Sequence, residues 1–244
     1  MRTLLLFDGM AMVYRAYYAL NGASRTNSKG VNTSATLGFT TTFYDLLKRL
    51  APTHAAVAFD LHGPTFRHEM YADYKANREK MPDDLREAIP YIIRLIEAFN
   101  IAIYGVEGYE ADDVIGTLSK TAEKEGFTTY MMTPDKDFGQ LVTDKVLLYK
   151  PAKFGEPAQV WGPKEVCEKY GLSHQKQVID LLALMGDASD NIPGCVGVGE
   201  KTAVSLLHDF GSIDNLLEHT DQLNGALRTK VENQKEQIKF SQYL

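Results

Sequence analysis

Cysteine is scarce: Cys167 and Cys195 are the only two among 244 residues. Two cysteines make neither a disulfide framework nor a Cys-rich zinc site, and they point to a reduced, intracellular setting. Long apolar runs are missing too. Leu4–Phe7 is too short for a signal-peptide core, and Asp8 and Arg15 interrupt the residues after it. No segment reaches the roughly 20 apolar residues needed to cross a bilayer, so no membrane partner is expected. There is no internal repeat and no low-complexity tract. The formal net charge of −6 argues against indiscriminate binding to polyanions. The composition is otherwise that of an ordinary globular protein, on a chain long enough to bury a full core.

The most informative stretch is Tyr109-Glu110-Ala111-Asp112-Asp113-Val114-Ile115. Three carboxylates fall within four residues, after the apolar run Ile101–Tyr104 and before a helical pattern of Val114, Ile115, Leu118 and Ala122. Acids so close repel one another and tend to take up protons. A hard divalent cation with oxygen ligands removes both problems. Helix capping is the competing reading, since acids favour a first helical turn.

The remaining chain reads as strands alternating with helices. Strands are expected at Thr3–Phe7, Ala55–Phe59, Ile101–Tyr104, Thr128–Met132 and Val146–Tyr149. Helices are expected at Ala11–Leu20, Ser34–Leu50 and from Pro82 to Phe99, with Asn21–Asn32 as a loop. This alternation predicts an α/β fold with a mainly parallel central sheet flanked by helices. Beyond Pro163 the strand signal ends. Helices are expected at Lys164–Tyr170, Gln175–Met185, Glu200–Phe210, Ser212–His219 and Gly225–Tyr243, a C-terminal helical subdomain. The division is thus 1–162 and 163–244, without a linker and read as one structural unit. Different in character is Phe66–Arg86, where Arg67, His68, Lys75, Arg78, Lys80 and Arg86 interleave with Phe66, Tyr71 and Tyr74.

Asp8, Asp60 and Asp135 each come after a separate expected strand, and Glu110, Asp112 and Asp113 after another. In a parallel sheet these positions gather at one edge, where ligands bind. Asp137 lies two residues beyond Asp135, and Asp187 and Asp190 are three apart in Gly186-Asp187-Ala188-Ser189-Asp190-Asn191. Any one of these acids is explained by a turn or a cap. Nine of them in five stretches favour a shared site for Mg²⁺ or Mn²⁺, in the manner of two-ion phosphoryl-transfer centres. Removing nine negative charges from −6 leaves +3, so the chain is compatible with a polyanionic substrate.

Gly194-Cys195-Val196-Gly197-Val198-Gly199-Glu200-Lys201-Thr202 nearly spells a P-loop. That motif requires Lys directly after its second Gly, and Glu200 intervenes. The segment reads instead as helix, glycine turn, helix. Gly194, Gly197 and Gly199 would let backbone approach a phosphate, and Lys201 would add charge at a helix start. A tight helical hairpin is the competing account.

Taken together, these motifs resemble the 5′-nuclease family, which includes flap endonucleases and the 5′→3′ exonuclease domain of bacterial DNA polymerase I. The likeness runs in order through Phe7-Asp8-Gly9 with Tyr14-Arg15-Ala16, Phe59-Asp60, and Tyr71-Ala72-Asp73-Tyr74-Lys75-Ala76-Asn77-Arg78. It continues through Gly108–Asp113, Thr133–Asp137, Gly186–Gly194 and the glycine turn. It implies metal-dependent hydrolysis of DNA or RNA near a 5′ end, in replication and repair, with flaps and primers as substrates. By that likeness Asp8, Asp60, Glu110, Asp112 and Asp113 serve a first metal centre, and Asp135, Asp137, Asp187 and Asp190 a second. Arg15, Lys75 and Arg78 would meet the scissile phosphate. Tyr74 would stack on a base, with Arg67 also on the substrate. Segment 66–86 resembles the helical arch, and Gly194–Lys201 the helix–hairpin–helix that grips duplex, often with K⁺. The resemblance also implies a bacterial cytoplasmic, nucleoid-associated setting; a polymerase domain continuing after Leu244 and a free-standing homologue are both open. Two alternatives stay open from the residues alone. One is a metal-dependent phosphatase, although Met10 spoils its Asp-x-Asp arrangement; the other is a non-catalytic DNA-binding module using the hairpin.

Overall fold

The computed structural model describes residues 2–19, 25–152 and 157–244. Contacts divide the chain into two compact units, each interrupted in sequence. The first is Met1–Thr65, Glu79–Pro134 and Lys145–Val160; the second is Phe66–Arg78, Asp135–Asp144 and Trp161–Leu244. The arch-like segment is therefore divided: Phe66–Arg78 belongs with the helical unit rather than with the sheet, unlike the division expected from sequence.

The first unit is built on a six-stranded sheet in the order β3-β2-β1-β4-β5-β6. The strands are β1 Thr3–Asp8, β2 His54–Ala58, β3 Ala102–Tyr104, β4 Thr128–Met132, β5 Val146–Lys150 and β6 Gln159–Trp161. β1 pairs in parallel with β2 and β4, as do β2 with β3 and β4 with β5. Parallel strands covered by helices on both faces read as continuous apolar runs, which is why Leu4–Phe7 and Ala55–Phe59 are recognisable in the sequence. β6 is not: it is a short edge strand whose side chains are mostly exposed, so it carries no apolar run. Helices α1 Gly9–Ala19, α2 Ser34–Leu50 and α4 Asp83–Ala98 belong to this unit, with α5 Ala111–Lys124; α3 Phe66–Met70 belongs to the second.

Side chains alternate across a strand. Leu5, Phe7, Val57 and Met132 turn to one face and join Val13, Phe39, Phe43, Leu46, Leu85, Ile92 and Ile96 of α1, α2 and α4 in one buried cluster. Phe43 sits 4.7 Å from Phe7 and 5.3 Å from Phe39 between ring centroids, distances at which aromatic pairs add to area burial. The opposite face is covered by α5 through Val114, Ile115 and Ala122. The expected loop 21–32 lies partly outside the described residues; Thr26 and Asn32 form an antiparallel bridge that closes its second half.

The second unit is helical: α3, then α6 Pro163–Tyr170, α7 Gln177–Met185, α8 Glu200–Phe210, α9 Ile213–Glu218, α10 Gly225–Asn233 and α11 Lys235–Tyr243. α7 is its centre, with Val178, Leu181, Ala183 and Leu184 buried against α8, α11 and the 3₁₀ turn Asp137–Leu141. The single helix expected over Gly225–Tyr243 is two helices. The break is at Gln234, whose backbone leaves helical geometry at φ −122° and ψ 19°, while its side chain holds the Val196 peptide: Oε1 accepts the Val196 N–H at 2.8 Å, and Nε2 donates to the Val196 carbonyl at 3.4 Å. Among the described residues no helix is long and apolar enough to cross a membrane.

Candidate active site

In the first unit the strand order reverses at β1, with β2 and β3 to one side and β4, β5 and β6 to the other. At such a switch point the carboxyl ends of the strands open into a crevice. Asp8 closes β1 there and is buried. Its Oδ1 accepts the Ala11 N–H at 3.0 Å, and its Oδ2 accepts the hydroxyl of Thr133, just past β4, also at 3.0 Å. One carboxylate thus joins both strands of the switch point to the start of α1.

On the next strand over, Asp60 lies beyond β2, and its Oδ1 accepts the Ala111 N–H at 2.8 Å. Glu110, the buried N-cap of α5, has extended backbone, and its N–H donates to Asp113 Oδ2 at 3.0 Å. Asp112 occupies the second position of the same helix. Capping is therefore part of what these acids do: Asp8, Asp60 and Asp113 each satisfy an N–H at or beside a helix start that would otherwise lack a partner. A carboxylate has about four lone-pair sites and an N–H takes one, so capping and ion binding are compatible. Arg15, on α1, donates from Nη2 to the Ala152 carbonyl at 2.7 Å, and burial lowers its pKa.

The other four acids fall in the second unit. Asp135 Oδ1 accepts the Asp137 N–H at 2.9 Å. Asp187, buried, accepts the Ser189 N–H on Oδ1 at 2.8 Å and pairs its Oδ2 with Lys136 Nζ at 3.2 Å. Asp190 receives Arg78 Nη2 on Oδ1 at 2.5 Å, and on Oδ2 the Tyr74 hydroxyl at 3.1 Å and Lys75 Nζ at 3.5 Å. Asp137 is the anomaly. Its Oδ1 is buried without a hydrogen-bond partner among the described residues, although buried polar atoms are nearly always paired. Burial, then the charges of Asp135 and Asp187, push its carboxyl up to about 7, with Lys136 opposing. A bare carboxylate oxygen among further carboxylates fits a hard divalent cation. Among the described residues no three His, Cys, Asp or Glu side chains form a ready-made cage. Mg²⁺ does not require one, since it keeps several waters and takes one or two carboxylates.

Tyr74 corrects an expectation. It is 3 % exposed, with its hydroxyl on Asp190, His68 edge-on to its ring and Lys75 Nζ 4.9 Å from the ring centroid. It offers no open face for a base. Arg67 Nε donates to the Leu244 carbonyl at 2.5 Å, and its guanidinium lies over Phe66.

The glycine turn joins α7 to α8. Gly194 has φ +62°, and a Cβ there would stand 2.7 Å from Gly186 Cα, itself at φ +75°. Its N–H faces Ser241 Oγ at 3.3 Å. Gly194 is thus needed for backbone packing. Gly197 has φ +84°, and its carbonyl accepts Lys230 Nζ at 3.3 Å. Gly199 is the exposed N-cap of α8, with open space where a Cβ would be, and Lys201 is exposed in the first turn. Sequence reasoning misses Lys136 and Lys230. Lys136 carries a signal, lying between Asp135 and Asp137; Lys230 carries none, since it comes to the turn from α10.

Residues 3–171 match the family described as 5′-3′ exonuclease, N-terminal resolvase-like domain, and residues 173–244 match 5′-3′ exonuclease, C-terminal SAM fold. The chain belongs to the 5′-3′ exonuclease family. The family boundary at about residue 172 falls after α6, later than the expected division at 162. DNA polymerase I of Bacillus subtilis is 46% identical over 244 residues, all of this chain and 27% of that protein. DNA polymerase I of Bacillus caldotenax is 43% identical over 224 residues, 92% of this chain and 25% of that protein. The chain thus spans about a quarter of the length of these relatives. A bacteriophage T5 flap endonuclease, solved as a pseudo-enzyme-product complex with DNA and metal ions, has the same fold. Its TM-score is 0.80 at 22% identity, over 99% of this chain and 88% of that one. The T5 5′-exonuclease with bound zinc aligns with a TM-score of 0.78 at 22% identity, over the same shares.

Proposed function

We propose that this chain is a structure-selective 5′-nuclease, a 5′→3′ exonuclease and flap endonuclease that hydrolyses phosphodiesters with two or more divalent cations. The substrate is DNA with a 5′ flap or 5′ end, or an RNA primer, in replication and repair, in a bacterial cytoplasm at the nucleoid. The observation that carries this reading is the unpartnered buried oxygen of Asp137 beside Asp135 and Asp187. Membership of the family supplies the reaction class.

Asp8, Asp60, Glu110, Asp112 and Asp113 would hold cations in the first unit; Asp135, Asp137, Asp187 and Asp190 would do so in the second. Mg²⁺ or Mn²⁺ suits these oxygen donors, and when bound lowers the pKa of a water and offsets charge on a phosphoryl group. The chain's own residues supply the rest. Thr133 and the Ala11 N–H fix the Asp8 carboxylate, and the Ala111 N–H fixes Asp60. Lys75 and Arg78 bring positive charge to Asp190, where a phosphate's developing charge would be met. Gly199 and Lys201 give a helix start suited to duplex backbone, in a helix–hairpin–helix that would take K⁺.

The test is a 5′-flap duplex labelled at its 5′ end, incubated with Mg²⁺ with and without chelator, with product lengths read out. Short labelled products that vanish with chelator are expected. Cleavage indifferent to chelator, or hydrolysis of a simple phosphomonoester with flaps untouched, would overturn the reading.

A further inference from the structure

Two irregular segments of the second unit are bonded to each other in a way that the metal and phosphate chemistry does not require. One is Tyr71–Arg78, after α3; the other is the loop Asp187–Ile192, after α7. The loop closes on itself first: the Asp187 N–H donates to the Ile192 carbonyl, and the Ile192 N–H to the Asp187 carbonyl, both at 2.8 Å. It is a small rigid template. Segment 71–78 is then fastened to it by two side-chain amides running in opposite directions. Asn77 Nδ2 donates to the Ala188 carbonyl at 2.7 Å, and Asn191 Nδ2 donates to the Asp73 carbonyl at 2.7 Å. Between these fastenings the Lys75 N–H donates to the Asp190 carbonyl at 2.9 Å.

The backbone between them is unusual. Lys75 has φ +56° and Asn191 has φ +58°. Asparagine is among the few non-glycine residues that visit this region readily; lysine is not. Lys75 holds such a conformation only if its surroundings over-determine it. The consequence is that Lys75 Nζ and Arg78 Nη2 both reach the carboxylate of Asp190 from one short segment.

We propose that Asn77 and Asn191 are positioning residues, a reciprocal clasp that sets Lys75 and Arg78 on Asp190. Each amide is bonded to a backbone carbonyl. Each acts by holding the other segment's backbone, so that two cations arrive with their geometry already fixed. The inference rests on the nuclease reading for the role of Lys75 and Arg78, and on the hydrogen bonds alone for the clasp.

The experiment uses Asn77→Ala, Asn191→Gly and the pair. Glycine at 191 keeps the positive φ while removing the amide, so loss there reports the hydrogen bond and not backbone strain. On the flap substrate kcat should fall about ten- to a hundredfold, the range a displacement of about 1 Å produces, with KM held within about twofold. In a Lys75→Ala/Arg78→Ala background the same changes should cost nothing further, because groups acting through one another are not additive. In the metal-free protein, amide exchange at Lys75 should quicken about tenfold or more in the paired variant. An unchanged kcat, a loss that adds fully to that of Lys75→Ala/Arg78→Ala, or an unchanged Lys75 exchange rate would each overturn the clasp. Should the parent chain cut nothing, the nuclease reading falls and the exchange measurement alone decides the clasp.

Discussion

Replacing Asp137 with asparagine should stabilise the metal-free protein at alkaline pH. The carboxyl is raised to about 7 from an ordinary value of 3.8. A raised carboxyl means that the folded state binds more protons than the unfolded state between those two values. Stability then falls as pH rises from about 4 to 7, and above that the full cost of the buried charge is present. A shift of about three units corresponds to about 4 kcal/mol. The group is not wholly dry, and screening by water brings a realistic figure to about 2–3 kcal/mol. Asparagine has nearly the same shape as aspartate without the charge, so the repulsion by Asp135 and Asp187 is removed.

The assay is thermal unfolding in chelator at pH 4, 6 and 8. For a chain of this size each kcal/mol moves Tm by roughly 2–4 °C, so Asp137→Asn should melt about 4–12 °C higher at pH 8, with the gain fading toward pH 4. Adding Mn²⁺ should reverse the order. The parent gains about 4.1 kcal/mol at a thousand times its Kd, whereas the variant has lost the negative charge and one of the two oxygens that would hold the ion. A variant less stable than the parent at pH 8 without metal, or equally stabilised at every pH, would refute the reasoning about Asp137.

Three further outcomes are expected from the same geometry. Asp112→Asn should abolish cleavage in Mg²⁺ while a gel shift on the flap duplex persists; loss of both together would make Asp112 a structural acid. Gly194→Ala should destabilise by about 3 kcal/mol or more, read by denaturant unfolding, since a side chain there collides with Gly186 backbone at a positive φ. Lys201→Ala should weaken duplex binding several-fold, whatever the sequence, and lower the slope of log K against log salt by about one.

How much of this is legible in the sequence depends on where each signal resides. β1 and β2 announce themselves because burial on both faces leaves apolar runs that no turn residue interrupts, and α2, α8 and β4 run between the very residues that the sequence pattern marks. Whatever depends on a distant partner cannot be read. Nothing local shows that the Gln234 amide will hold the Val196 peptide. Tyr74 looks like a stacking residue until Asp190 and His68 enclose it. Segment 66–78 looks like part of the sheet unit until Asn77 and Asn191 tie it to the loop after α7.

The acids are the instructive case, because two accounts that seem to compete describe the same atoms. Asp8, Asp60 and Asp113 each give an oxygen to an N–H at or beside the beginning of a helix. An uncapped carboxylate on a flexible side chain loses entropy on being held still. A carboxylate already bonded to a helix start has lost that freedom during folding, so it presents its remaining lone pairs in a fixed direction without further loss. Asp137 is the complement: one oxygen with no partner among the described residues, its charge resisted by its neighbours. Fixed acids supply direction and an unsatisfied acid supplies drive. A chain whose acids only capped helices would have no reason to leave Asp137 bare. A chain whose acids only gathered charge would have no reason to anchor three of them on the backbone.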